Sequence, residues 1–70
     1  MTNNDQQESD FPNIGKPAQR ALHHAGYWRL EQLTTVTESE IMQLHGVGPK
    51  AINRLRDAMQ EIGLSFADGG

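Results

Sequence analysis

The residues with the clearest chemical use are Gly46, Gly48 and Lys50, set in the stretch Leu44-His45-Gly46-Val47-Gly48-Pro49-Lys50-Ala51. Two glycines flank one apolar residue, and a proline opens the long amphipathic run that follows. Glycine reaches φ > 0 without a Cβ clash, so Gly46 and Gly48 are both expected to serve a tight hairpin in that region. On this reading Gly48→Val disturbs fold and binding together. Pro49 suits a first helical position, where a missing N–H forfeits no intrahelical bond. Val47 is expected to point inward and pin the turn. The free N–H groups at such a helix start, backed by the helix dipole, form an anion site, to which Lys50 adds an ammonium. The chemistry this favours is a grip on a phosphate.

A fainter second copy lies upstream. Asn13-Ile14-Gly15-Lys16-Pro17-Ala18 aligns with Gly46-Val47-Gly48-Pro49-Lys50-Ala51, and Leu22 and Ala25 then pair with Leu55 and Ala58. Asn13 stands where the later copy has Gly46, and Asn is the next best residue for φ > 0. Two turn-to-helix units related by a pseudo-twofold axis are therefore expected, with both hairpins facing one way. Gly15, Lys16 and Arg20 would then approach a second phosphate. Arg54, one turn into the last helix, lies on the hairpin side, although Asp57 and Glu61 are alternative partners for it.

Other chemistries find little footing. His23 and His24 are adjacent on a helix, about 100° apart, and with His45 they lack further ligands at metal spacing. No Ser, His and acid arrangement suggests nucleophilic catalysis, and 70 residues leave no cleft for a flipped base. The chain is expected to be no enzyme and to need neither cofactor nor metal.

Four short helices position these groups. Ala18, Ala21, Leu22 and Ala25 recur at helical spacing, giving a helix over Lys16–Ala25 that Gly26 stops. Tyr27–Leu33 suggests a second, with Leu30 and Leu33 inward and Tyr27 or Trp28 covering a core edge. Thr37-Glu38-Ser39-Glu40 matches a capping box and starts a third helix through about Leu44, with Ile41 and Leu44 on the buried side. The last should run Pro49–Ile62 with Ala51, Ile52, Leu55, Ala58, Met59 and Ile62 as its apolar stripe. Gly63 ends it, and Leu64 and Phe66 fold back as a latch. No stretch alternates with period two, so the expected class is all-α, a bundle of four to five short helices.

Composition sets the outer bounds. There is no cysteine, no membrane-length apolar run and no signal-peptide pattern, so a soluble, cytoplasmic protein is expected; a monomer is expected as well. Residues 1–10 read as a disordered acidic tail, 11–66 as the folded domain and 67–70 as a frayed end. Net charge is −3, but four of the nine acidic residues (Asp5, Glu8, Asp10 and Asp68) lie outside Phe11–Phe66. Inside that span six basic residues face five acidic ones, so any DNA contact is local and weak.

The Leu44–Leu55 segment resembles the helix-hairpin-helix motif, whose hairpin amides and nearby Lys hold a DNA backbone phosphate. From about Phe11 to Phe66, Ala21-Leu22, Tyr27-Trp28, Leu30, Leu33, Thr37-Glu38, Glu40-Ile41, Gly48, Lys50 and Gly63-Leu64-Ser65 look like the C-terminal domain of the bacterial RNA polymerase alpha subunit. The resemblance implies a SAM-like bundle that binds the minor groove and contacts transcription factors, with Gly48 and Lys50 at the phosphate-touching positions. Pro17 stands where family members carry a groove-entering Arg, and Arg20 where they carry an Asn. A stand-alone relative of that domain is expected. Its function is then non-catalytic binding of double-stranded DNA through backbone phosphates, with little sequence preference. The alternative is a protein-interaction module, for RNA polymerase or a transcription regulator, that has lost DNA.

Overall fold

In the computed structural model the structure describes residues 9–68. The expected acidic tail up to Glu8, and Gly69-Gly70 of the expected frayed end, lie outside them. Among the described residues every regular element is helical: α1 (Lys16–His24), a 3-10 helix (Leu30–Thr35), α2 (Glu38–Met42) and α3 (Pro49–Glu61). No strand occurs among them, and no helix is long and apolar enough to cross a membrane.

The core follows from the helical spacing of the apolar residues. Leu22 of α1, Leu33 of the 3-10 helix, Ile41 of α2, and Leu55 and Met59 of α3 are sealed from solvent. Each such side chain contributes about 1.5–3 kcal/mol by leaving water. Val47 is buried beside them, so the loop before α3 is pinned as its sequence suggests. Leu64, Phe66 and Tyr27 pack on the rim of this cluster. Ile62 does not join the stripe. It is the C-cap of α3 and is 58% exposed, because the chain turns away there.

Both long helices end in the same way. Past α1, Gly26 takes φ 94 and Tyr27 N–H donates to Leu22 O at 2.8 Å, while Gly26 N–H donates to His23 O. Past α3, Gly63 takes φ 80, Leu64 N–H donates to Met59 O at 2.7 Å and Gly63 N–H to Gln60 O. These are Schellman closures, with an apolar residue folded back over the last turn. Tyr27 is therefore spent on ending α1. The second helix starts at Leu30, not Tyr27, and it is 3-10. Its Thr34 and Thr35 hydroxyls donate to the carbonyls of Glu31 and Gln32, three residues back. In a three-residue turn Leu30 and Leu33 eclipse, so both reach the core.

That helix is also capped from a distance. Leu30 N–H donates to Asp10 Oδ1 at 2.7 Å, Asp10 N–H donates to Trp28 O, and Arg29 lies 3.7 Å from the same carboxylate. Asp10, which composition places in the tail, is thus held against the domain. At the other end Ala67 N–H donates to Val36 O at 2.8 Å. The side chains of Phe11 and His23 stack, and His23 lies 3.6 Å centroid to centroid from the Trp28 ring, nearly parallel.

Thr37 and Glu40 form the capping box that their spacing suggests: Glu40 N–H donates to Thr37 Oγ1, and Thr37 N–H donates to Glu40 Oε1. The next tie joins α2 to α3. Arg56 donates from Nε and Nη2 to the two carboxylate oxygens of Glu38, at 2.8 and 2.9 Å. This fork holds the Glu38 carboxyl below its ordinary value of 4.5, chiefly through the hydrogen bonds. A depressed folded-state value stabilises the fold above 4.5, and that stability is lost as pH falls through the lower value. Both side chains are about 40% exposed, so solvent screens the pair and its effect is small. Thermal melts from neutral pH downward are expected to show Glu38→Gln less stable than the parent at pH 7, the two converging in acid. Parallel curves would deny the pair any role.

Candidate nucleic-acid interface

At the start of α3 the two glycines prove different in kind. Gly46 has φ 101, and a Cβ there would lie 2.8 Å from Pro17 O. The loop before α3 is thus seated directly on the first turn of α1. Gly48, the N-cap, has φ −117 and ψ −177, extended backbone open to any residue, and a Cβ there would meet nothing within 4 Å. The expectation that Gly48 needs positive φ is overturned. Among the described glycines Gly48 alone is demanded by neither conformation nor packing. A glycine of that sort keeps open the approach to the amides around it.

Those amides are available. Val47 N–H closes the turn onto Leu44 O, and Ile52 N–H returns to Gly48 O. Among the described residues the N–H groups of Gly48 and Lys50 have no acceptor, and no side chain caps them. Lys50 itself is exposed.

The upstream turn is built otherwise. Its positive φ falls on Gly15, at 90, and no described non-glycine residue has positive φ, so Asn13 does not play the part of Gly46. Asn13 instead accepts the Gly15 N–H through Oδ1 at 3.3 Å. The two turns are therefore not copies in conformation, and the expected repeat is not seen in their backbone. What they share is charge placement. Lys16 and Arg20 lie one turn apart on α1, as do Lys50 and Arg54 on α3, and all four are exposed.

The ion pairs divide the six basic residues cleanly. Arg29 and Arg56 pair with Asp10 and Glu38. Among the described residues Lys16, Arg20, Lys50 and Arg54 carry no ion pair, and Arg54 engages neither Asp57 nor Glu61. With Gly46 against Pro17, the cation-bearing first turn of α1 and the loop leading into α3 are neighbours. Between them lies an open groove of about 550 Å³, into which Arg20, His24 and His45 face. Neither histidine was singled out as a site residue by the sequence. Their convergence depends on the Gly46–Pro17 contact, which spacing along the chain does not disclose. Among the described residues no three His, Asp or Glu side chains gather where they could hold a metal ion.

Compared with family models, with curated proteins and with solved structures, the chain finds no match in any of the three.

Proposed function

We propose that the chain is a non-catalytic module that grips the backbone of double-stranded DNA, built as a helix-hairpin-helix bundle similar to the C-terminal domain of the bacterial RNA polymerase alpha subunit. The observation that carries this reading is the start of α3. The Gly48 and Lys50 amides there lack acceptors among the described residues, beneath a glycine that neither conformation nor packing requires. One phosphate oxygen accepts from these N–H groups, and the Lys50 ammonium neutralises it. Lys16 and Arg20 reach a second phosphate from α1, and Arg54 adds charge along α3. Backbone contacts of this kind hold the duplex in place without reading base edges.

Neutralising two to four phosphates gives a slope of log K against log salt of about −2 to −4, with Kd on the order of 10⁻⁴ to 10⁻⁶ M. Titration of a labelled duplex at several salt concentrations tests this. Lys50→Ala is expected to make the slope shallower by about 1 and to weaken binding to every sequence alike. Gly48→Val leaves the fold in place and sets two methyls over the amides, so it weakens binding while lowering the melting temperature far less than Gly46→Val does. Absence of binding at low salt, or a Lys50→Ala protein equal to the parent, removes the proposal.

A further inference from the structure

The groove between α1 and the α2–α3 loop is poorly suited to a phosphate. Its half-buried surface is carbon, from Ala21 and Leu44, with Pro17 beside them. Arg20, His24 and His45 line it as exposed groups, and among the described residues no acidic one does. Arg20 has no ion pair among the described residues. Apolar walls beside one guanidinium and two imidazoles match a ligand that is greasy at its centre and anionic at its edges. At about 550 Å³ the groove lies within the size range of sites that take up small ligands or anchoring side chains.

We propose that this groove is a docking site for a protein partner, which inserts one large apolar side chain from a short segment flanked by Asp or Glu. The anchor packs on Ala21 and Leu44. The flanking carboxylates meet the Arg20 guanidinium and accept from the His24 and His45 imidazoles. Charge complementarity selects this occupant over a basic or neutral peptide, because among the described residues the groove offers the Arg20 guanidinium and no carboxylate. The site lies beside the proposed DNA contacts and shares Arg20 with them, but it stands on its own lining and not on DNA binding.

The test uses a fluorescein-labelled peptide with one central phenylalanine between Glu pairs, and a control with Lys in place of each Glu. The full chain is titrated with each, and backbone amide shifts are mapped. The Glu peptide is expected to bind, shifting Ala21, Ala25, Leu44 and His45, and the Lys peptide to bind about tenfold more weakly or worse. Ala25→Leu fills the groove from an exposed position without changing charge. It is expected to cost the Glu peptide about tenfold in affinity. Its effect on duplex binding should stay within about twofold, because Ala25 is no part of the phosphate grip. A melt of this variant confirms that it folds. Equal binding of the two peptides, Ala25→Leu binding as tightly as the parent, or shifts mapping elsewhere would overturn the proposal. So would groove shifts that grow with protein concentration alone, which would assign the surface to a second copy of the chain. None of the peptide measurements contains DNA, so failure to bind duplex leaves this result standing, and the converse holds.

Discussion

Gly46→Val is expected to cost about 2–5 kcal/mol, through left-handed backbone forced on a β-branched residue and a side chain driven against the Pro17 carbonyl. The two effects act together. A residue at φ 101 resists every side chain, and the nearest obstacle is backbone, which cannot swing aside as a flexible side chain can. A 70-residue domain holds about 3–10 kcal/mol in all, so this single change leaves a substantial unfolded population. Gly48→Val, two residues on, is expected to cost at most about 1 kcal/mol, the ordinary penalty of valine at an N-cap. Urea melts of both variants give the comparison directly. Equal midpoints would mean that the two glycines do not differ in the way assigned to them.

Leu55→Ala is expected to be the other large loss, about 2–5 kcal/mol. Leu55 is fully sealed at the middle of α3, the helix that packs on both α2 and the 3-10 helix. Truncation removes its transfer energy and leaves a void between three elements that cannot all close on it. Ile62→Ala, on the same helical stripe by spacing but 58% exposed, should stay within about 0.5 kcal/mol. A Leu55→Ala protein that melts near the parent temperature would show that another face of α3 is buried.

Much of this fold could be read from residue spacing because local chemistry agreed with the global packing. The capping box at Thr37–Glu40, the glycines that close α1 and α3, and the period of Ala51, Ile52, Leu55 and Met59 all act within a few residues. Where the reading failed, the deciding contact was distant or the residue was claimed by a neighbour. Tyr27 looked like a helix start, yet it belongs to the closure of α1. Ile62 kept the period of the stripe but fell on the C-cap. Gly46 and Gly48 are alike in sequence, and the left-handed backbone of Gly46 and the approach of Pro17, from the other end of the domain, separate them. The groove lies further out of reach, since His24 and His45 share it only once the loop before α3 rests on α1.

Trp28 is the only tryptophan in the chain, and its indole lies flat on the imidazole of His23. Loss of the fold parts the two rings, so ultraviolet emission reports the folded population with no dye attached. Neither ring lines the groove where the peptide is placed, whereas His23 borders Lys16 and Arg20 of the phosphate grip. The domain thus carries a gauge of its own integrity that lies outside the peptide groove, and every variant above can be judged for folding in the cuvette that holds the peptide titration.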